Sequence, residues 1–263
     1  MKNLLIPTDL SHESMYAENF GIEVSKKSRA NIHFLCSKFS KIQNRSLNNE
    51  VISNFQFDLD KLVRRANNYG INAYGYFKTL ENSYEIEKKI NHIKFDYVIM
   101  SPAGSEQANS KIDEIAIRAI RHSSIPLLFI KTVINSLKLK KLIFISDFQD
   151  ENIVNFEPVI KLAELFDLEI YLLYINTPSN FKDTEVIERQ QKKFKKLYSG
   201  NCYLYVYNSE EIVNGITKFS NKIDPDFIAI TNRSKNLERT IFPNVAEKLI
   251  DNLSTPIISI NLL

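Results

Sequence analysis

The sequence predicts an α/β protein made of two doubly wound domains in tandem, each built on a five-stranded parallel sheet. Three observations carry this. Short apolar runs recur in the same order in both halves of the chain, and they alternate with amphipathic stretches. Most of the runs are apolar without a break, the pattern of strands covered on both faces. Strand–helix alternation then implies parallel pairing through right-handed crossovers.

The repeat is read directly from the residues. Leu4-Leu5-Ile6-Pro7-Thr8-Asp9-Leu10 resembles Leu142-Ile143-Phe144-Ile145-Ser146-Asp147-Phe148 at an offset of 138, and the same offset carries Ile32–Cys36 onto Ile170–Tyr174. Asp96–Met100 matches Asp226–Ile230, and Pro126–Ile130 matches Pro256–Ile260, both at an offset of 130. Four anchors in one order describe a duplicated domain of about 130 residues. The polar stretch Val133–Lys140 is the expected boundary, giving domains 1–133 and 140–263.

The elements follow in order. In the first copy strands are predicted at 3–8, 31–37, 72–78, 96–101 and 126–131, with helices at 12–28, 49–68, 82–93 and 112–122. In the second, strands are predicted at 141–146, 168–175, 201–207, 226–231 and 256–261, with helices at 152–166, 180–198, 209–221 and 244–252. The last strand of each copy is a lone edge with motive to be covered, so 126–131 is expected to pair with 256–261.

Composition narrows the function. With 34 basic and 31 acidic side chains the net charge is +3, too balanced to imply a nucleic-acid or membrane-surface partner. Only six glycines occur in 263 residues, so glycine-dependent chemistry has few places to live. Cys36 and Cys202 lie in apolar runs with no metal or redox spacing, which fits a reducing compartment. Leu4-Leu5-Ile6 is too short for a secretory segment, and no run is long enough to span a membrane. The expected location is the cytoplasm.

Open α/β sheets bind ligands at the carboxyl ends of their strands, where strand order reverses. Here the first strand of each copy ends at Asp9 or Asp147, directly before a helix. The fourth ends at Met100-Ser101 or Ile230-Thr231, followed by a polar loop. These loops are the natural walls of a cleft. Asp9 and Asp147 are suited to accept hydrogen bonds from a base or ribose; the same positions also favour capping or orienting a helix.

Pro7-Thr8-Asp9-Leu10-Ser11, the Asp96-Tyr97-Val98-Ile99-Met100 strand, the long polar loop and Arg121-His122-Ser123-Ser124-Ile125-Pro126 together resemble the universal stress protein family. The resemblance covers nearly the whole chain as a tandem pair, and implies a Rossmann-like, adenine nucleotide alpha hydrolase-like fold. Members of that family divide into those that bind ATP and those that do not. The division follows a motif after the fourth strand: Gly, two residues, Gly, about nine residues, then Gly with Ser or Thr. The resemblance also makes Asp9 and Asp147 similar to the residue that contacts adenine.

Glycines in such a loop let backbone N–H groups approach phosphates, and the following helix N-terminus favours the anion. This chain retains one glycine of six. In the first copy Ser101 and Gly104 occupy the leading positions and Asp113-Glu114 the final pair. In the second copy the leading positions are Thr231 and Ser234, and the final pair is Pro243-Asn244. Asp113 and Glu114 complement the helix start themselves and would repel a triphosphate. Pro243 removes an N–H, while Arg233, Lys235 and Arg239 offer side-chain donors in compensation. The vestigial cleft is therefore expected at Asp9, Met100, Ser101 and Gly104 in the first copy. In the second it is expected at Asp147, Thr231, Arg233, Ser234 and Asn244.

No other chemistry stands out. His12, His33, His92 and His122 form no pair at metal-ligand spacing, and His33 in its strand reads as packed or surface-exposed. Neither a nucleophile elbow nor a Walker loop occurs. Lys192-Lys193-Phe194-Lys195-Lys196, near Glu185 and Glu188, reads as a solvated helix face. Catalytic residues, metal and cofactor are thus all expected to be absent. The favoured function is a non-enzymatic stress-response or regulatory protein acting on an unidentified protein partner, through an intramolecular pseudo-dimer, with a homodimer also open. The alternative is an ATP- or AMP-binding sensor that retains a site in one copy, with slow hydrolysis.

Overall fold

Asn3–Thr8 (β1) is followed by the helix Ser14–Ser28 (α1), and α1 approaches β1 closely because position 21 is glycine. A Cβ on Gly21 would lie 2.2 Å from Ile6 Cδ1. The computed structural model describes residues 1–37, 49–78, 92–102, 123–150, 153–233 and 245–262. The chain divides into two units, Met1–Ser110 and Lys111–Leu263.

The first unit continues through Asn31–Ser37 (β2), Asn49–Asn67 (α2), Ala73–Lys78 (β3) and Tyr97–Met100 (β4). Its strands run in the order β3-β2-β1-β4 and are parallel throughout. Leu4, Ile6, Ile32, Phe34 and Ile99 fill the core between this sheet and its helices. β1 departs from the expectation of cover on both faces: Leu4, Ile6 and Thr8 are buried, whereas Leu5 and Pro7 are only half-buried. The helices expected at 82–93 and 112–122 lie outside the described residues, apart from His92 and Ile93, which form a turn and bend.

The second unit holds Leu127–Phe129 (β5), Lys141–Ile145 (β6), Glu157–Phe166 (α3), Glu169–Asn176 (β7), Thr184–Lys195 (α4), Cys202–Asn208 (β8), Ile212–Ile223 (α5), Phe227–Arg233 (β9), Val245–Asn252 (α6) and Ile257–Leu262 (β10). The strand order is β5-β10-β9-β6-β7-β8. All neighbours are parallel except β5 and β10, which pair antiparallel with Phe129 opposite Ile257 and Leu127 opposite Ser259. This is the expected contact between the last strands of the two copies. The polar stretch Val133–Lys140 lies within this unit. Lys131, just past β5, donates from Nζ to the Ile250 and Leu253 carbonyls at the end of α6.

Hydrogen bonds repeat with the sequence. Asp96 Oδ2 accepts from the Lys2 and Asn3 amides, at 2.6 and 3.2 Å, and Asp226 Oδ2 accepts from Lys140 and Lys141 at 2.7 and 2.9 Å. Leu10 and Phe148 both take left-handed backbone, with φ of 61° and 53°. Arg29 and Asp167 do the same at the ends of α1 and α3, with φ of 58° and 54°. Such angles are uncommon outside glycine, so their recurrence at an offset of 138 marks a shared architecture rather than similar composition.

Element ends differ from expectation where side chains intervene. The helix predicted to start at 180 begins at Thr184, because Asn180 Oδ1 accepts from the Thr177 amide at 2.7 Å and holds a turn. Pro158 sits in the first turn of α3, behind a short 3₁₀ turn, Val154–Phe156.

Candidate functional site: a cleft laced by hydroxyls

At the end of β1, Thr8 Oγ1 accepts from the Leu10 amide at 2.9 Å and donates to Glu18 Oε1 at 2.6 Å. Asp9 Oδ1 accepts from the Ser11 amide at 3.0 Å, closing the turn; Ser11 Oγ in turn accepts from the Ser14 amide at the helix start, at 3.2 Å. Asp9 therefore orients the approach to α1, while a serine two residues later serves the helix amide. Across the cleft, the Ser101 hydroxyl donates to the Glu13 carbonyl at 2.6 Å. The loop after β4 is thereby tied to the loop after β1. Met100 is buried and contributes apolar packing at the strand end.

The second copy repeats the turn. Ser146 Oγ accepts from the Phe148 amide at 3.2 Å, and Asp147 Oδ1 lies 3.4 Å from the Gln149 amide that donates to it. Thr231 Oγ1 donates to Ser146 Oγ at 3.4 Å, again joining the fourth strand to the first. In both copies the lacing hydroxyl belongs to the residue at the first glycine position of the expected motif. Arg233 is the last residue of β9, opposite Leu262 of β10. Gly104, Ser234 and Asn244 lie outside the described residues, as do Asp113, Glu114 and Pro243.

The surroundings of the two strand ends differ. Beneath Thr8 sits the buried carboxylate of Glu18, with Arg65 Nη2 3.6 Å from Oε2 and Ser14 Oγ 3.4 Å from Oε1. At the matching place in the second copy stands Phe156, in a cluster with Phe144, Phe148 and Phe194 whose ring centroids lie 4.8–6.3 Å apart. Sequence reading missed Glu18. The available signal was helical spacing: Ser14, Glu18, Gly21 and Ser25 form one stripe of α1, and all four are buried. A charge in a stripe of small residues has to be satisfied from outside its own helix.

Burial pushes the Glu18 carboxyl above its ordinary value, against the Thr8 hydrogen bond and the Arg65 guanidinium, which favour the charged form. The unfolded chain thus releases this proton at lower pH than the folded chain. Between the two pKa values the folded state binds more protons, so this group's contribution to stability falls as pH rises through that window. Glu18→Gln removes the titration. Its stability relative to wild type is expected to rise with pH, from the ordinary carboxylate range upward, in urea midpoints measured from acidic to neutral pH. A difference independent of pH would show that Glu18 does not titrate this way.

Other candidates resolve as packing. His33 is buried, stacked on Tyr74 at 4.9 Å and edge-on to Phe95 at 5.3 Å, with Nδ1 3.2 Å from the Tyr76 hydroxyl. Tyr171 takes the same place in the second copy, packed with Tyr203 at 5.1 Å and Tyr205 at 5.9 Å. Both cysteines are buried thiols outside any disulfide, and burial raises the Cys202 thiol to about 11, far from reactive at neutral pH. At the end of α4, Lys192, Lys193, Lys195 and the capping Lys196 are exposed around a buried Phe194, and Lys193 pairs with Asp150 at 2.7 Å. No helix among the described residues is long and apolar enough to cross a membrane.

Neither a family model nor a curated protein matches the sequence. Solved structures do match it. A universal stress protein from Archaeoglobus fulgidus DSM 4304 aligns over 98% of each chain, with a TM-score of 0.74 and 16% identity. A putative universal stress protein from Pseudomonas aeruginosa UCBPP-PA14 gives 0.66 at 13% identity, over 99% of this chain and 93% of that one. A functionally unknown protein from Pseudomonas aeruginosa PAO1 gives 0.67 at 12% identity, over 99% and 92%. In fold, the chain resembles these two universal stress proteins over 98–99% of its length.

Proposed function

We propose that this chain is a non-enzymatic regulatory protein of the universal stress type, acting by contact with another protein, and that its nucleotide loops have lost their phosphate-binding parts. One observation carries the reading: Ser101 and Thr231, at the first glycine positions, turn their hydroxyls inward and tie the two walls of each cleft together. A glycine there would leave room for a ligand and free backbone donors to meet it. The second reading, a sensor binding ATP or AMP in the second copy, is favoured by the weaker 3.4 Å lacing there and by Arg233 at the strand end.

Millimolar ATP is expected to leave the melting temperature unchanged, and denatured protein is expected to release no nucleotide. A ligand bound only to the folded state at a hundred times its Kd would add about 2.7 kcal/mol. In a chain of this size that gain is worth a few degrees. A reproducible shift of that size, removed by Asp147→Ala or Arg233→Ala, would establish the sensor reading instead.

A further inference from the structure

We infer that the edge strand β8 is a homodimer interface, pairing antiparallel with β8 of a second copy of this chain. β8 ends the strand order of its unit. Its hydrogen-bonding register follows from its neighbours: the Asn201 carbonyl accepts from the Ile170 amide, and the Ser209 amide donates to the Asn176 carbonyl. Backbone groups alternate sides along a strand, so the odd-numbered residues from Asn201 to Ser209 face β7. Cys202, Leu204, Val206 and Asn208 therefore aim their N–H and C=O groups outward, away from the sheet.

Exposed edges are normally blunted by charge or proline, and a glycine inside an edge strand weakens it as a pairing template. The corresponding edge strand of the first unit, β3, is blunted in this way. It carries Gly75 at its middle, where a Cβ would press on Val63 and Leu59 at 3.0 and 3.1 Å, and it ends in Lys78. The β8 sequence, Cys202-Tyr-Leu-Tyr-Val-Tyr-Asn208, holds no charge, no glycine and no proline. One chain thus contains both a protected and an unprotected version of the same edge.

Self-complementarity selects the occupant. With Tyr205 on the dyad, Leu204 lies opposite the partner's Val206 and Cys202 opposite the partner's Asn208. Every outward backbone group then finds a partner. Tyr203, Tyr205 and Tyr207 share one face, where Tyr203 meets the partner's Tyr207 in the cross-strand pairing that aromatic residues favour. These rings are already fixed, Tyr203 against Tyr171 at 5.1 Å, and Tyr205 and Tyr207 against Phe219 at 5.1 and 5.9 Å. Ordering them on association therefore costs little. The flanks complement as well. Exposed Lys195 and Lys196 precede β8, exposed Glu210 and Glu211 follow it, and antiparallel pairing brings each basic end to an acidic one.

Sedimentation velocity on the full chain tests this, with circular dichroism confirming the fold of each variant. The wild type is expected to sediment at twice the chain mass at micromolar concentration. Val206→Pro removes an outward N–H without touching the β7 ladder and should weaken association at least about tenfold. Should that variant fail to fold, Tyr203→Glu with Tyr207→Glu places like charges opposite each other and should have the same effect. Tyr203→Lys with Tyr207→Glu should restore the dimer, because the register pairs those positions. A monomeric wild type, or a dimer that survives the double glutamate change, would overturn the proposal.

Discussion

Phe194→Ala is expected to destabilise the chain by about 3–5 kcal/mol, the range for emptying a large aromatic from a core. Phe194 lies on α4 among lysines, yet it is fully buried, because it meets three aromatic rings from different elements. Phe148 lies edge-on at 5.2 Å, Phe156 at 5.6 Å and Phe144 at 6.3 Å. Truncation removes the ring's apolar burial and also its edge-to-face contacts, each worth roughly 0.5–1.5 kcal/mol beyond area. The surrounding rings come from a strand, a left-handed turn and a 3₁₀ turn, so they have little freedom to close the cavity. Against a total stability of about 5–15 kcal/mol, the loss is a large share. Phe181, which is 69% exposed, is the internal control, and Phe181→Ala should change the urea midpoint little. A Phe194→Ala midpoint close to wild type would show that the cluster does not support the second unit.

That cluster also shows what was legible in the sequence and what was not. Phe144 and Phe148 stand in the duplicated segment as the counterparts of Ile6 and Leu10, which placed Phe144 within the strand predicted at 141–146 and Phe148 just past its end. The turn geometry followed: Asp9 and Asp147 bond to amides two residues on in both copies. Strand positions were legible because a buried parallel strand is apolar almost without interruption, as β4, β6 and β7 are. The chemistry packed beside the two strand ends was not. Glu18 and Phe156 occupy matching positions with opposite chemistry, and only tertiary contacts reveal that Thr8 and Arg65 converge on the carboxylate. The start of α4 was misjudged because the Asn180 side chain competes with the helix for backbone amides.

Nucleotide binding should appear in the first copy once the obstructing residues are replaced together, by Ser101→Gly, Asp113→Gly and Glu114→Ser. The Ser101 change removes the hydroxyl that ties β4 to the Glu13 carbonyl, opening the mouth of the cleft. The other two remove carboxylates from the start of the helix expected at 112–122, where the motif would place phosphate. At about 4 Å each like-charge contact costs roughly 4 kcal/mol at an effective dielectric of 20, before screening. That is comparable to the entire binding free energy of a millimolar site, about 4.1 kcal/mol, so even one such contact suffices to prevent detectable binding. The opposing cost is the flexibility of two new glycines, about 0.5–1 kcal/mol each. The balance favours binding, and calorimetric titration with ATP should read it as a new saturable site. Asp9 would supply the base contact, and Asp9→Ala in the same background should abolish the gain. If the triple variant folds and binds nothing, loop length or cleft shape is the barrier, since both loops carry eight residues where the motif has about nine. The carboxylate account of Asp113 and Glu114 would then be wrong.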